Sequence, residues 1–588
     1  MADPIISRSH RGVSAPAAAP TDNGTRSRAL PRWHYLVALA AGAANTLSFA
    51  PTPHGGWLQL AIFVFFFAWL TRSTGWKSAA LTGGAFGFGN FLSGVWWLYV
   101  SMHYYGGMPA PLAGTALVLF SLYLAVYPAL AAGVWSFCAG HAQNGAVDAR
   151  APLPPFAPTW HGALAFASAW AIGEWLRGTV FTGFPWLATG YAQVDGPLAG
   201  FAPVVGVYGV GWMVALTAAL IVQALLALLP SWRSRRASES RDPNASADHD
   251  AGGRAARGRG PRVAAIVVPA GVALTLLVIG LLLPLVQWTT PANAPLSVRL
   301  LQGNVKQEMK FEEAGLRAAI DEYQQMITSK PADLIVTPET AIPVLAQQLP
   351  PNFAAAIRQF TDSTGSALLF GAIGGTITPD GRVVDYTNSL FGVTPGSHEI
   401  YRYDKHHLVP FGEFVPWGFR WFVNLMNIPL GDFFRGPPVQ KPFMVHNQPV
   451  AVNICYEDIF GEEIARTLRE NATPAGVLIN STNLAWFGDT VALDQHLQIA
   501  RMRSLETGRP MLRATNTGMT AAIDANGRVI GRLTPYTVGS LDVTVQGTSG
   551  NTPYVTSGNN TVLAVSALLL AFGFAFGPAI ARRRNGKR

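Results

Sequence analysis

Seven apolar segments precede residue 290, at roughly 33–50, 57–71, 79–100, 110–138, 161–177, 203–229 and 263–288, and an eighth lies at 561–581. A helix needs about 20 mainly apolar residues to cross a bilayer core, and several of these segments reach that length. About eight membrane helices are therefore expected. Charge placement supports the count. The tail before the first segment carries Arg8, Arg11, Arg26, Arg28 and Arg32, and the turn after the second carries Arg72 and Lys77. Arg150 follows the fourth, eight arginines lie between Arg233 and Arg262 after the sixth, and the chain ends in Arg582, Arg583, Arg584, Lys587 and Arg588. The connections "PTPHGG", "SMHYYGGMP" and "FTGFPWLATGYAQVDG" hold no Lys or Arg. Alternate connections are basic, as the positive-inside rule requires of eight spans with both termini cytoplasmic.

This pattern divides the chain. Residues 1–32 read as a disordered cytoplasmic tail rich in Ala, Pro, Ser and Arg, and 33–289 as transmembrane helices one to seven with an Arg-rich cytoplasmic loop at 231–262. Residues 290–555 form an outer domain, 561–581 the eighth helix and 582–588 a basic cytoplasmic tail. The net charge of +9 belongs to this topology signal, because the arginines sit in tails and loops and are not interleaved with aromatics as a nucleic-acid groove requires. No nucleic-acid partner is expected. The two cysteines, Cys138 and Cys455, are far apart, which excludes a CxxC zinc site and a disulfide framework.

The outer domain has a different texture. Short β-rich runs such as "LSVRLLQGNV", "ADLIVTPE", "SALLFGAIGG", "PVAVNICYE" and "GVLINSTN" alternate with helical patterns such as "EEAGLRAAIDEYQQMI" and "ALDQHLQIARMRSLETG". "TAAIDANGRVIG" reads as a hairpin turning at Asn526-Gly527. The whole is an α/β domain large enough for a well-buried core. "GGAFGFGNFLSG" in the third apolar segment superficially resembles a nucleotide loop, but no strand precedes it and glycine-mediated helix packing is expected there.

Three polar residues end apolar strands or sit in Pro- and Gly-rich turns: Glu339 in "LIVTPETAIP", Lys405 in "YDKHHLVPFGE" and Cys455 in "NICYED". In α/β sheets such positions converge on the crevice outside the strand ends. A carboxylate there can take the thiol proton, and a lysine favours both thiolate and developing oxyanion, so the three suffice for acyl transfer through a thioester. Each has a plainer alternative: a small buried hydrophobe, a turn residue, a solvated lysine. His406 and His407 invite a Cys–His dyad, but adjacent strand residues face opposite ways and structural roles are favoured. Glu413 is either a second acid near the nucleophile or a loop residue. Glu174 and Arg177, at i and i+3 near the outer end of the fifth segment, can pair on one face, and Arg177 can either meet a phospholipid phosphate or pin helices together.

The stretches "TPETAIP", "YDKHHLVPFGEFVPW", "ICYEDIFGE", "STNLAWFG", "HLQIARMRSLETGRP" and "ATNTGMTAAI" resemble the nitrilase or carbon–nitrogen hydrolase superfamily, whose catalytic Glu, Lys and Cys occur in this order. With "EWLRGTVFTGFPWLATGYAQVDGPLAG" in the membrane part, the chain resembles the branch that completes bacterial lipoprotein acylation at the inner membrane. That resemblance implies an α-β-β-α sandwich on the periplasmic side of a membrane α-helical bundle. It implies Glu339 as general base, Lys405 as the transition-state lysine and Cys455 as acylated nucleophile, with Glu413, Tyr456, Glu457 and Trp486 around them. Where the family can carry tryptophan after the first strand this chain has Phe311, which keeps an aromatic face but loses an indole N–H. The implied partners are a phospholipid acyl donor, phosphatidylethanolamine in the first instance, and a diacylglyceryl apolipoprotein acceptor, with no cofactor and no metal. A membrane-tethered amidase or nitrilase shares the same site residues. A transporter or receptor is disfavoured, since the spans carry few charges and no matched halves.

Overall fold

The computed structural model describes residues 30–139, 159–228, 260–306, 313–420 and 432–585. Most of the N-terminal tail, most of the Arg-rich loop and Phe311 lie outside these residues.

A helix stands on each of the eight apolar segments: α1 (Arg32–Asn45), α2 (Gly55–Leu70), α3 (Trp76–Gly94), α4 (Ala110–Cys138), α5 (Trp160–Arg177), α6 (Ala202–Leu228), α7 (Gly260–Leu282) and, after the outer domain, a long C-terminal helix (Asn560–Asn585). Among the described residues, three helical stretches are long and apolar enough to cross a membrane: Ala110–Cys138, Ala199–Leu228 and Val263–Leu285. Gly55–Leu70 and Asn560–Ala575 are shorter apolar helices. The remaining members, α1, α3 and α5, are rich in Gly and Ala, which lowers their hydropathy but lets backbones approach. A Cβ at Gly42 of α1 would lie 1.8 Å from the Phe86 carbonyl oxygen, and one at Gly89 of α3 would lie 2.0 Å from that of Leu39. These reciprocal contacts are the glycine packing expected of "GGAFGFGNFLSG".

The outer domain holds two facing sheets. One has the order β14-β2-β3-β5-β6-β7 with β4 on β5, built from β2 (Leu296–Gln302), β3 (Leu334–Val336), β4 (Ile342–Leu345), β5 (Ala367–Ile377), β6 (Val383–Val393), β7 (Ile400–Asp404) and β14 (Gly539–Val545). The other has the order β13-β12-β11-β10-β9-β8, from β8 (Phe443–Val445), β9 (Gln448–Ile454), β10 (Val477–Thr482), β11 (Met511–Thr515), β12 (Ala521–Ile523) and β13 (Val529–Arg532). A short pair, β1 (Thr290–Pro291) with β15 (Thr548–Ser549), closes the entry and exit of the domain. The expected hairpin is β12–β13, with Gly527 at φ 74° in its turn.

Val298, Leu300, Val336 and Leu369 from the first sheet pack against Val452, Ile454, Ile479 and Leu512 from the second, so the sheets share one apolar interior. Helices α8 (Glu313–Thr328) and α9 (Pro351–Thr364) cover the outer face of the first sheet through Ile320, Tyr323, Phe353 and Ile357. Helices α10 (Gly461–Glu470) and α11 (Ala492–Thr507) cover the second through Ile464, Leu468, Leu493 and Leu497. The result is the α-β-β-α sandwich that the resemblance implied.

The sandwich is seated on the helical bundle. Tyr456, Ile459, Phe460, Ala492, Ile499 and Met502 belong to the same apolar cluster as Phe63, Trp97, Trp186 and Tyr208 of the bundle. Helix α11 therefore buries two faces, one on a sheet and one on α6, which is why so few of its residues are exposed.

Candidate active site

Four strand ends supply the site. Glu339 follows β3, Lys405 directly follows β7, Cys455 directly follows β9, and Asn483 directly follows β10. The turn carrying Glu339 lies tightly on β5: a Cβ at Gly371 would fall 2.4 Å from the Pro338 carbonyl oxygen and 2.5 Å from the Thr340 amide. Only glycine fits, and the close approach places Glu339 over the end of the sheet. The Ser481 hydroxyl donates 2.6 Å to the Thr337 carbonyl, tying the two sheets together just beneath it.

Glu339, Lys405 and Glu413 form a buried charged cluster, with Lys405 1 % exposed. The Lys405 Nζ donates to Glu413 Oε1 at 2.9 Å and to Glu339 Oε1 at 3.3 Å. The Asn388 Nδ2, on β6, donates to the same two oxygens at 2.7 Å each. The second oxygen of each carboxylate is held by backbone, Glu339 Oε2 by the Asn483 amide at 2.9 Å and Glu413 Oε2 by the Val409 amide at 2.8 Å. These donors leave both carboxylates oriented and Lys405 fixed between them; its charged form is favoured by the two acids, which outweigh the cost of its burial.

Cys455 adopts φ 52°, a left-handed conformation that costs a non-glycine residue roughly 1–3 kcal/mol. The strain lifts the cysteine off the end of β9 into the short helical turn Cys455–Ile459. Its backbone carbonyl accepts from Asn480 Nδ2 at 2.9 Å, which steadies the turn. Burial pushes the Cys455 thiol up to about 12, with the negative charge of Glu339 adding to the rise and Lys405 opposing it. The resting group is thus a thiol, and to act as a nucleophile it would need a neighbouring base to remove its proton.

Glu457 clamps the lysine and cysteine segments together. Its Oε1 accepts from the His406 and His407 amides at 2.7 and 3.1 Å, and its Oε2 from the Ile454 amide at 2.6 Å and the Tyr403 hydroxyl at 2.9 Å. Burial raises the Glu457 carboxyl to about 7 against the pull of these donors and of Lys405. Tyr456 faces away from this cluster and donates its hydroxyl 2.9 Å to the Gly183 carbonyl in the loop after α5.

The two histidines lie in a bend beyond the end of β7, not in a strand, and their rings have separate partners. His406 Nδ1 lies 2.7 Å from the Gly436 carbonyl, while His407 lies 2.8 Å from Glu463 and 3.0 Å from the Thr182 carbonyl and stacks on Phe460. Trp486 is half-buried, its ring 6.3 Å from that of Tyr105 in the segment after α3. Arg177 corrects the phosphate reading. It is 2 % exposed, and its Nη1 donates to the Phe184 and Trp186 carbonyls at 2.6 and 2.7 Å, with Glu174 3.9 Å from Nη2. A guanidinium satisfied inside an apolar bundle pins the end of α5 to the following loop instead of facing lipid.

Two features escaped the sequence reading. Asn388 sits in mid-strand, where nothing but its polarity sets it apart. Asp458, three residues after the cysteine, is wholly buried against Arg513 at 2.7 Å and His496 at 2.8 Å, and the Trp186 ring stacks on His496 with 4° between planes. Their partners are distant in sequence, so no local signal marks them.

Residues 41–220 match the family described as apolipoprotein N-acyltransferase N-terminal domain, and residues 297–554 match carbon-nitrogen hydrolase. An apolipoprotein N-acyltransferase of Ralstonia nicotianae is 48 % identical over 580 residues, covering 98 % of this chain and 99 % of that protein. One from Bordetella bronchiseptica is 41 % identical over 572 residues, covering 93 % and 98 %. One from Nitrosomonas europaea is 39 % identical over 541 residues, covering 92 % and 96 %.

Proposed function

The chain belongs to the apolipoprotein N-acyltransferase family, and from that premise we propose how it moves an acyl chain and which residues do so. The enzyme transfers an acyl group from a membrane phospholipid, phosphatidylethanolamine in this reading, through a thioester on Cys455 to the terminal amine of a diacylglyceryl-cysteine apolipoprotein.

In the first half-reaction Glu339 takes the Sγ proton as sulfur attacks the ester carbonyl carbon, and the carbonyl electrons move onto oxygen. Lys405 stabilises that oxyanion. Two of its three N–H bonds go to Glu339 and Glu413, which leaves a third for the oxyanion. Collapse breaks the ester C–O bond, the lysophospholipid oxygen receives the proton from Glu339, and the acyl chain remains on sulfur. In the second half-reaction the acceptor amine attacks the thioester, Glu339 takes its proton, and collapse expels sulfur, which recovers the proton. An amide has replaced a thioester, a downhill exchange that needs no nucleotide.

The membrane setting gives both lipid-anchored substrates a route to the site. In this reading all eight apolar helices span the inner membrane, both termini are cytoplasmic and the sandwich is periplasmic. Trp417, 98 % exposed, and Phe434, 54 % exposed, are the apolar side chains that meet the outer leaflet in this reading; residues 421–431, the middle of the aromatic stretch 415–434, lie outside the described residues.

The observation that carries the reading is the buried Glu339–Lys405–Glu413 cluster set beside Cys455 at converging strand ends. Intact mass after incubation with phosphatidylethanolamine tests it. Wild type gains one hydroxylamine-labile acyl chain and passes it to a diacylated lipopeptide, while Cys455→Ala gains none. An active protein with no adduct sinks the thioester path, and an adduct discharged only by water indicates the tethered hydrolase.

A further inference from the structure

Sulfur carries negative charge twice in the proposed cycle, when its proton is removed and when the thioester C–S bond breaks. Each time it gains from a hydrogen-bond donor of its own. The donors already placed around the site are committed elsewhere. Lys405 holds two acids and keeps its third N–H for the oxyanion, and the Asn483 amide is on Glu339 Oε2. Asn480 Nδ2 is on the Cys455 carbonyl, and the Ser481 hydroxyl is on the Thr337 carbonyl.

Thr482, the last residue of β10, has a donor to spare. The parallel ladder pairs Ser481 with Ile454, so Thr482 and Cys455 come next to each other where β10 and β9 end. Thr482 is wholly buried, and its Oγ1 has no hydrogen-bond partner among the described residues. Its backbone carbonyl accepts the Asn516 amide at 3.2 Å, which fixes the strand end and leaves the hydroxyl to rotate. A buried hydroxyl unpaired at rest costs stability, and here the cost has a use. Burial and Glu339 hold the proton on the Cys455 thiol, while Lys405 and the Thr482 hydroxyl favour its loss.

We propose that Thr482 is a further catalytic residue, its O–H donating to the Cys455 sulfur whenever that atom carries negative charge. The inference rests on the acyl-transfer reading above and deepens it by naming the group that receives the leaving sulfur. In the second half-reaction the acceptor nitrogen bonds the acyl carbon and the C–S electron pair moves to sulfur. The Thr482 hydrogen bond holds that charge until sulfur recovers the proton that Glu339 took from the amine. Thr482 keeps its own proton throughout.

The test compares full-length wild type, Thr482→Val and Thr482→Ser. Thr482→Val keeps the shape and removes a hydroxyl that is unpaired at rest, so it melts no lower than wild type. Discharge of the preformed acyl-enzyme to a diacylated lipopeptide slows roughly tenfold in single turnover, at an unchanged half-saturating peptide concentration. Alkylation of Cys455 by iodoacetamide at one fixed pH slows about threefold, because a smaller thiolate fraction is partly offset by a more nucleophilic thiolate. Thr482→Ser restores both rates. Unchanged discharge and alkylation in Thr482→Val overturn the inference. So does a Thr482→Ser as slow as Thr482→Val, or a Thr482→Val that melts early, since the methyl packing or the fold would then be what the residue serves. A wild type that forms no thioester overturns the acyl-transfer reading, and the alkylation comparison still decides whether Thr482 acts on the sulfur.

Discussion

Tyr456, the residue next to the candidate nucleophile, hydrogen-bonds through its hydroxyl to the carbonyl of Gly183 in the membrane part, at 2.9 Å. The sandwich and the bundle thus meet one residue from Cys455. The same junction is reinforced by Tyr191, whose hydroxyl reaches the Ile459 carbonyl at 3.1 Å, and by Gln495, whose Oε1 accepts from the Trp186 and Trp97 indoles at 2.7 and 3.3 Å. A candidate nucleophile whose neighbour is tied to the membrane part suits the proposed reaction, whose donor arrives from the bilayer.

Tyr456→Phe isolates that contact. The ring and its packing stay, and a buried carbonyl loses its donor, a change of about 1–3 kcal/mol. The melting temperature in detergent should fall accordingly. Acyl-enzyme formation should slow roughly tenfold for each 1.4 kcal/mol that falls on the transition state. An unchanged melting curve with an unchanged rate would mean that the two parts do not communicate through this bond.

Glu457 gives a pH prediction with a definite sign. Its carboxyl is raised from 4.5 to about 7 in the folded protein, so between those values the native state binds the proton more tightly than the unfolded chain does. Its contribution to stability is complete below about pH 4.5 and is lost as pH rises through 7, on the order of 3 kcal/mol in all. Glu506, buried beside Arg503 and raised to about 7, adds a parallel slope. Glu457→Gln cannot titrate, and its stability should vary less with pH across this window. Chemical-denaturant melts of both proteins at several pH values decide it, and parallel curves would remove Glu457 from the account.

Much of this centre was readable before any coordinates, and for a physical reason. Glu339, Lys405 and Cys455 stand out because strand ends are where an apolar run must stop, and a charged or reactive group there is conspicuous. The eight apolar segments were equally plain, since helix period and span length are local properties. What stayed hidden depends on pairing over distance. Asn388 lies inside "DYTNSLFG", a stretch with no local feature that singles it out, and gains meaning only when β6 is set beside the Glu339 turn. The burial of Arg177 depends on the course of the loop at 184–186. Helix α11 reads as a helix from its pattern, yet its polar side chains are buried because Gln495 and Glu506 find partners on the bundle and His496 finds Asp458 in the turn after β9.

Lys405→Met removes the one cation between two buried carboxylates. Breaking a buried ion pair from one side costs about 3–5 kcal/mol, and loss of an oxyanion donor costs about 10²–10³-fold in rate. Both effects are expected here: a lower melting temperature, and thioester formation reduced by at least two orders of magnitude in single-turnover assays. Should the variant melt early yet acylate at the normal rate, Lys405 would be a structural counter-ion and the oxyanion would need another donor.

Glu339→Gln separates the acidity of the thiol from the speed of the reaction. Glu339 is the second contributor, after burial, to the raised Cys455 thiol, so neutralising it leaves Lys405 less opposed and lets the thiolate form at lower pH. Labelling of Cys455 by N-ethylmaleimide, followed on the peptide that contains it, should shift to lower pH in the variant. Acyl transfer at neutral pH should move the opposite way, falling about 10²–10⁴-fold, because the proton acceptor for the thiol and for the incoming amine is gone. A labelling curve that shifts down while acylation collapses is the signature of a general base that raises its own nucleophile's affinity for the proton. If labelling and acylation fell together, Glu339 would be needed to build the site, and its assignment as the base would have to be withdrawn.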